Sequence, residues 1–399
     1  MSSVDVGLTP LRKRKLTVLM DIPSPYRLHF FRSLSAKLCE QHIELHVLFM
    51  AKSVPIRSWN FNERDWLFKY NFYSGIHLHI RQHSFHFNPG IIWTILRHPP
   101  DWLILGGAWN MPTTMLCIKA LAALHRKTVM VLWAEANFRS STAKSPLLQW
   151  LRNWVIKDVD AYAVPGHVAR TTLLGHWEAP NKPFLDLPNI VDENIFSTKV
   201  RNLRAKREEL RGHLGMYDGH LVLIWPARLH EPTKGIISFI GIIKELILPH
   251  VRILIAGEGP DRLRITQYVE IEGLGTNIIL LGQKTQEEMA ELYAIADVFL
   301  LPSLKDPNPL SVIEALWAGL PVFISLGCGN HPEAVEVGEN GWVISHDYPD
   351  TLRGAFADML GQTMKERDAF GARSEKLANE RFSTDGCVEN FVNEIACIK

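Results

Sequence analysis

The chain has 399 residues, of which 47% are hydrophobic, and its formal net charge is +1 at pH 7. A chain of this length exceeds one typical folding core, so we expect two domains of roughly 200 residues each. The near-zero net charge excludes the strongly basic balance of many nucleic-acid-binding proteins, and we predict no nucleic-acid partner.

Cysteine usage and apolar runs indicate the compartment in which the protein works. The five cysteines are scattered without a Cys-x-x-Cys pair, so neither a disulfide framework nor a zinc site is predicted. The apolar run 16–20 is too short for a secretory signal. The uncharged stretch 102–118 contains two glycines and a proline, so a membrane-spanning helix is not predicted there. We therefore expect a cytoplasmic protein. A basic cluster at 12–15 leaves open a peripheral membrane contact, with a solvated tail as the alternative.

The N-terminal half alternates predicted strands with predicted helices. Helical periodicity follows Tyr26 and recurs at 146–156. Short apolar runs predict strands at 16–20, 102–105, 129–133 and 161–164, and alternation of apolar with polar residues predicts strands at 43–49 and 76–80. This alternation predicts an α/β fold with a parallel sheet that helices cover.

The second half repeats the pattern after a boundary near residue 195. Strands are predicted at 221–225, 251–256, 278–281, 298–301 and 322–324. Helices are predicted at 236–246, 261–270 and 287–295, and a further helix begins at Pro309 and ends at Gly319. Six basic residues within 199–211 predict a solvated helix face, with Leu203, Leu210 and Leu214 packing inward. Ligands of open α/β sheets bind in the loops that follow the strands.

Residues 297–325 are the most informative of these segments, because a strand leads through a short polar loop into a helix. A helix start presents free N–H groups and a positive dipole end, which favour phosphate. Positions 307 and 309 are prolines and donate no N–H, so the amides available are those of Asp306, Asn308, Leu310 and Ser311. Two carboxylates, Asp306 and Glu314, flank this anion site, which suits a ligand with both phosphate and hydroxyl groups.

A second charged segment, 225–235, also follows a strand. Arg228 offers a planar fork for phosphate oxygens and Lys234 a compact charge, so together they could neutralise a departing diphosphate. Gly257 follows a strand, where the backbone must approach something closely. The alternatives are a charged surface loop for the first pair and a tight turn for the glycine.

These loops resemble those of the retaining family-four glycosyltransferases. Asp306 and Glu314 match the family's E-x7-E region, with Asp in place of the usual first Glu. The 228–235 segment resembles its diphosphate clamp, and 188–196 resembles the segment that precedes its second domain. The resemblance implies the GT-B fold, in which two Rossmann-like domains face each other across a cleft. The acceptor-side domain would be 1–195, the nucleotide-sugar domain 196–380, and a C-terminal helix at 381–399 would pack back towards the first domain.

The resemblance also implies roles for the site residues. Asp306 would orient the donor sugar, Glu314 would hold the ribose, and Arg228 and Lys234 would stabilise the leaving diphosphate. Gly257, Gly282 and the amides at 308–311 would bind the rest of the donor. Three residues in N-terminal loops would lie on the acceptor side: Tyr26, Arg27 and Glu135.

The resemblance implies that the protein transfers a hexose-type sugar from a nucleoside-diphosphate donor to a hydroxyl group of a glycan or lipid-linked acceptor. The configuration at the anomeric carbon would be retained. The reaction would need no cofactor and no metal, and would serve bacterial cell-surface polysaccharide or lipopolysaccharide assembly, with an optional peripheral contact with the inner membrane. A nucleotide-sugar epimerase of the same fold and a non-catalytic nucleotide-sugar-binding partner protein remain open as alternatives. Asp158-Val-Asp160, a literal Asp-x-Asp, is interpreted as coincidence because it lies between a helix and a strand of the wrong half.

Overall fold

The computed structural model describes residues 13–53, 62–80, 83–124, 127–139, 145–217 and 219–398. Position 12 of the basic cluster lies outside these ranges. Backbone contacts divide the chain into a first unit (the described parts of Met1–Ala134, Leu151–Tyr162 and Val392–Lys399) and a second unit (those of Glu135–Trp150 and Ala163–Phe391). The predicted domain limits at 195 and 380 are not tested by this division and stay predictions. Within the described ranges, no helix is both long and apolar enough to span a bilayer.

The first half of the chain contains nine strands and seven α-helices in the described ranges. The strands are β1 (Arg14–Met20), β2 (Ile43–Phe49), β3 (Lys69–Phe72), β4 (Ile76–Ile80), β5 (His83–Phe87), β6 (Trp102–Leu105), β7 (Val129–Trp133), β8 (Ala161–Val164) and β9 (Phe184–Asp186). The helices are α1 (Pro25–Glu40), α2 (Pro89–Arg97), α3 (Pro112–Leu124), α4 (Pro146–Ile156), α5 (His167–Thr171), α6 (Glu193–Arg204) and α7 (Arg207–His213).

The first sheet has the strand order β3-β2-β1-β6-β7-β8-β9. Strand β1 pairs in parallel with both β2 and β6, so the predicted parallel sheet is confirmed. The strand predicted at 76–80 forms, but it pairs antiparallel with β5 in a separate two-stranded hairpin. Ile76 and Leu78 of this strand are exposed, whereas His77 Nδ1 lies 2.7 Å from Nδ1 of the buried His86. The alternation therefore does not give the hairpin an apolar inner face and a polar outer face.

The second half contains six strands and nine α-helices in the described ranges. The strands are β10 (Leu221–Pro226), β11 (Val251–Ala256), β12 (Ile278–Gly282), β13 (Val298–Leu301), β14 (Val322–Ser325) and β15 (Gly341–Ile344). The helices are α8 (Glu231–Lys234), α9 (Ile236–Ile243), α10 (Arg262–Ile271), α11 (Gln286–Ile295), α12 (Leu310–Trp317), α13 (His331–Ala334), α14 (Pro349–Gly361), α15 (Met364–Phe382) and α16 (Thr384–Cys397).

The second sheet has the order β12-β11-β10-β13-β14-β15, and its pairs are parallel. Helices cover both faces of such a doubly wound sheet, so its central strands are buried on both sides. The side chains of β13 are fully buried for this reason, and Phe239 of α9 packs edge-on against Trp225 of β10 with ring centroids 5.5 Å apart.

Some helix boundaries differ from the sequence prediction. The helix predicted at 236–246 ends at Ile243 and continues as a 3₁₀ turn, Lys244–Leu246. The helix predicted to begin at Pro309 begins one residue later, because Pro309 has the extended backbone of an N-cap, with ψ 116°. The predicted end is confirmed, since Gly319 has the left-handed φ of 62° that stops a helix.

The basic segment 199–211 is not the solvated helix face that we predicted. Arg211 is buried and donates to the carbonyl of Ile295 from Nε and Nη2, at 3.0 and 2.7 Å. Arg207 and Arg211 both pair with the carboxylate of Asp297, and Arg204 Nη2 donates to the Ala318 carbonyl at 2.7 Å.

The acceptor carbonyls explain this placement. Ile295 ends α11 and Ala318 follows α12, and the last carbonyls of a helix lack partners within it. Guanidinium groups satisfy them and favour the negative end of the helix dipole. Leu203 and Leu210 pack against the core as predicted, whereas Leu214 is 40% exposed.

We expect Arg211→Met to lower the free energy of unfolding by about 2–3 kcal/mol, because it removes charge-assisted hydrogen bonds to a helix end and to Asp297. Arg201→Met, at an exposed position of the same segment, is the matched control and should stay within about 0.5 kcal/mol of wild type. Urea unfolding followed by circular dichroism measures both values. Equal effects of the two changes would show that the segment is solvated after all.

Candidate functional site

The charged residues predicted in the second unit lie at the carboxyl ends of β10 and β13. These strands are neighbours in the middle of the sheet, and the strand order reverses between them. A reversal of this kind opens a crevice beyond the strand ends, where ligands bind in doubly wound folds. The segment after β10 carries Arg228 and Lys234, and the segment after β13 carries Asp306.

Lys234 and Asp306 form an ion pair in this crevice. Lys234 Nζ donates to Asp306 Oδ2 and lies 3.4 Å from Ser303 Oγ. The two charged side chains are 14% and 18% exposed, so solvent screens their attraction less than it would at an open surface. Lys234 ends the short helix α8, which the sequence did not predict, and α8 places its ammonium group over the β13 loop.

Close backbone packing holds Asp306 in place. Its N–H donates to the Gly327 carbonyl at 2.9 Å, and its carbonyl accepts from the Gly329 N–H at 2.8 Å. A Cβ atom at Gly327 would lie 2.1 Å from the Ser303 carbonyl oxygen, and one at Gly329 would lie 1.8 Å from that of Pro307. Only glycine allows the loop after β14 to approach the Asp306 loop this closely.

The start of α12 leaves its amides available. No side chain caps this helix, and its first turn has no acidic residue. The backbone around it is fixed by two buried amide side chains: Asn189 donates to the Asn308 carbonyl at 3.3 Å and Asn330 to the Pro309 carbonyl at 3.0 Å. The N–H groups of Leu310 and Ser311 therefore stand at a helix start suited to an anion.

Glu314 lies further along α12 and has a partner that the sequence did not reveal. Tyr293 of α11 donates its hydroxyl to Glu314 Oε2 at 2.8 Å and lies 3.3 Å from the Ser311 carbonyl. Burial raises the pKa of the Glu314 carboxyl, and the hydrogen bond from Tyr293 opposes this change. The phenol thus fixes the direction of a carboxylate that the fold holds in a poorly solvated position.

Gly257 and Gly282 come together beside the Arg228 loop. The Gly257 N–H donates to the Gly282 carbonyl at 2.8 Å, and a Cβ atom at Gly257 would lie 2.0 Å from the Ala227 carbonyl oxygen. The close approach predicted for Gly257 is thus to another loop of the protein. Arg228 itself is exposed, and within the described ranges its guanidinium makes no hydrogen bond or ion pair.

The predicted acceptor-side residues fall in different units. Tyr26 and Arg27 open α1 in the first unit, and Arg27 is buried with its guanidinium carbon 3.7 Å from the centroid of the Trp133 ring. Glu135 is half-buried in the second unit, in the loop after β7. Sequence reasoning missed Asn137 in that loop, which is buried and donates to the Gly327 carbonyl at 3.4 Å.

The two carboxylates of the Asp-x-Asp sequence contact other groups of the protein. Asp158 pairs with Lys119 at 2.7 Å, and Asp160 Oδ2 accepts the Met130 N–H at 2.7 Å. Among the residues that the structure describes, no three His, Cys, Asp or Glu side chains form a group that could hold a metal ion.

Comparison with known proteins shows what the chain is similar to. Residues 206–377 match the family model of the glycosyl transferases group 1. The chain is 25% identical over 283 residues to the N-acetyl-alpha-D-glucosaminyl L-malate synthase of Bacillus anthracis, an alignment of 69% of this chain and 66% of that protein. The chain thus spans just under two thirds of the length of this relative.

Solved structures give the fold. The structure of Anabaena Alr3699/HepE in complex with UDP superposes with a TM-score of 0.71 and 14% identity, over 96% of this chain and 99% of that one. WaaG, a glycosyltransferase involved in lipopolysaccharide biosynthesis, superposes with a TM-score of 0.66 and 16% identity, over 96% of this chain and 100% of that one. The predicted GT-B fold, with two parallel-sheet α/β domains, is confirmed.

The raised pKa of Glu314 predicts a stability that depends on pH. The folded state keeps this proton to higher pH than the unfolded state, so stability is lost as pH rises through the raised pKa. Glu314→Gln keeps an acceptor for Tyr293 without the charge. We expect the variant to be more stable than wild type at neutral pH and equal to it in acid, where the carboxyl is protonated in both states. Urea unfolding across a pH series measures this difference.

Glu291→Gln, at an exposed position of α11, is the control and should leave the pH dependence of wild type unchanged. A Glu314→Gln variant that stays less stable than wild type at every pH would contradict the buried-charge account.

Proposed function

We propose that the protein transfers a sugar from a nucleoside-diphosphate donor to a hydroxyl acceptor. The match of residues 206–377 to the family model of the glycosyl transferases group 1 and the GT-B fold support this proposal. The observation that carries this proposal is the Lys234–Asp306 pair beside the uncapped start of α12. It brings a cation, a carboxylate and free amides to one crevice at the strand reversal. A diphosphate joined to a sugar has the charge and the hydroxyl groups that such a set would bind.

Each site residue has a role in this reaction that follows from its chemistry. Arg228 and Lys234 neutralise the charge that develops on the departing diphosphate, and the N–H groups of Leu310 and Ser311 add hydrogen bonds to it. Asp306 accepts hydrogen bonds from the sugar hydroxyls and holds Lys234 until the diphosphate arrives. Glu314, oriented by Tyr293, accepts hydrogen bonds from the ribose.

The reaction exchanges one bond for another at the anomeric carbon. The bond from this carbon to the diphosphate oxygen breaks, the bond to the acceptor oxygen forms, and the hydroxyl proton passes to the departing phosphate. Attack on the face that the diphosphate leaves retains the configuration. This route needs no covalent nucleophile, no cofactor and no metal ion, since cationic side chains take up the charge.

The biological setting proposed is the assembly of bacterial cell-surface polysaccharide or lipopolysaccharide, in the cytoplasm or at the inner membrane. The similarity to WaaG supports the lipopolysaccharide setting, and the complex of HepE with UDP supports a nucleotide-sugar donor. The acceptor proposed is a glycan or a lipid-linked sugar.

Lys234→Met should reduce turnover about a hundred- to thousandfold, because removing one group that stabilises developing charge costs about 3–4 kcal/mol of activation free energy. Lys305→Met is the matched control, since Lys305 is exposed beside the site and should leave turnover unchanged. Release of nucleoside diphosphate from a panel of nucleotide sugars, with and without acceptor sugars, measures the effect. The double variant with Arg228→Lys should lose less than the product of the single losses, as coupled groups do.

Wild-type turnover in Lys234→Met would exclude the mechanism. Conversion of the donor without any acceptor would favour the epimerase, and donor binding without turnover would favour the non-catalytic partner protein.

We expect wild-type turnover to survive exhaustive chelation with EDTA, because Arg228 and Lys234 neutralise the diphosphate in place of a divalent cation. The same donor assay measures it before and after dialysis against the chelator. A loss that added Mg²⁺ or Mn²⁺ restores would contradict the assignment and assign charge neutralisation to a metal.

A further inference from the structure

The second unit contains a cavity of about 460 Å³. Its walls come from the start of α5, the end of β9, one residue of α13 and the corner between α15 and α16. The described lining includes neither Lys234 nor Asp306. Small-molecule sites have volumes of about 300–1,000 Å³. The cavity is therefore large enough for a small ligand of its own.

The charged residues of this cavity already have partners in the protein. Arg170 pairs with Asp186 at 3.6 Å. Arg381 donates to the Glu333 carbonyl at 2.9 Å and to Glu336 Oε1 at 2.8 Å. The described lining has two arginines and three carboxylates, so it offers no surplus of positive charge. This balance disfavours a phosphate or carboxylate ligand, because like charges facing each other repel.

Three uncharged polar side chains of the wall have hydrogen-bonding groups to spare. They belong to His167, Ser383 and Asn390, and none of them makes a side-chain hydrogen bond within the part of the chain that the structure describes. An amide, a hydroxyl and a neutral imidazole can each both donate and accept. A sugar hydroxyl also does both, whereas a phosphate dianion only accepts and an ammonium group only donates. The set therefore matches an uncharged sugar.

The cavity is linked through the chain to the loop that holds Asp306. Glu333 lies four positions after Gly329, in the short helix α13, and its Oε1 accepts the His167 N–H at 2.6 Å. Gly329 itself donates to the Asp306 carbonyl. One short segment of chain thus contacts the backbone of Asp306 at one end and lines the cavity at the other.

We propose that this cavity is a second carbohydrate site, which binds an uncharged sugar unit through His167, Ser383 and Asn390. The assignment of this unit to the acceptor glycan rests on the proposed function, whereas the binding of a sugar in the cavity does not. The inference adds to that function a place that holds a sugar outside the crevice of Lys234 and Asp306.

The test is saturation-transfer difference NMR of the full chain with the methyl glycosides of glucose, galactose and N-acetylglucosamine, and with methyl glucuronide as the anionic probe. Wild type should bind one of the uncharged glycosides more tightly than the glucuronide. Asn390→Phe should weaken this binding about tenfold or more, because an added ring fills the cavity. His167→Ala should weaken it about two- to tenfold, the loss expected for one hydrogen bond.

Matched controls carry the same changes elsewhere in the second unit. Asn379→Phe alters an exposed asparagine of α15, and His176→Ala alters an exposed histidine that follows α5. Neither residue belongs to the described lining, so both variants should bind the glycoside as wild type does.

Lys234→Met separates this proposal from the proposed function. If the sugar binds in the cavity, this variant keeps the affinity of wild type even when it has lost turnover. A loss of affinity in Lys234→Met as large as that in Asn390→Phe would assign the sugar to the donor crevice and overturn the proposal. Tighter binding of the glucuronide, or no binding of any uncharged glycoside, would also overturn it.

Wild-type affinity in both Asn390→Phe and His167→Ala would exclude the cavity as the binding site. His167→Ala keeps the test decisive should Asn390→Phe fail to fold, because it removes a ring at an exposed position.

Discussion

The ion pair between Lys234 and Asp306 is the interaction on which the site of the second unit depends. It joins the segments that follow β10 and β13, and it lies where solvent screens the attraction only in part. Either charge alone would be costly there, so each stabilises the position of the other. In the proposed reaction a diphosphate would replace Asp306 as the partner of Lys234 without leaving the cation unpaired. The carboxylate of Asp306 fixes the position of this cation.

Glycines make this arrangement possible. The loop after β14 approaches the backbone at Ser303 and Pro307 so closely that a Cβ atom at Gly327 or Gly329 could not fit. Hydrogen bonds from both sides then fix the backbone of Asp306. Main-chain packing therefore sets the position of the Asp306 backbone, and Lys234 contacts its carboxylate.

Two charged side chains of the second unit, Arg211 and Glu314, differ in their partners. Arg211 is stabilising where it lies, because it satisfies the end of α11 and pairs with Asp297. Glu314 has no cationic partner among the described residues, and burial raises the pKa of its carboxyl. A poorly solvated carboxyl group that a phenol orients, with its pKa raised by burial, is typical of a site that serves a ligand.

The sequence alone determined the α/β class, the central strands of both sheets and the loops that carry charge. Apolar runs and helical periodicity are local signals, and the carboxyl ends of parallel strands meet at one edge whatever the details. The resemblance carried by those loops led to the GT-B fold, which structural similarity confirmed. The individual roles given to Arg228, Asp306 and Glu314 stay predictions.

Only the tertiary structure decided which groups are partners. The sequence predicted a solvated face for Arg204, Arg207 and Arg211. In the structure these side chains contact helix-end carbonyls and Asp297, which a count of charges along the sequence cannot show. Lys234 and Asp306 are 72 residues apart and Tyr293 and Glu314 are 21 apart, so no periodicity links them. Local patterns fix secondary structure, whereas pairing between distant side chains depends on distances that packing alone sets.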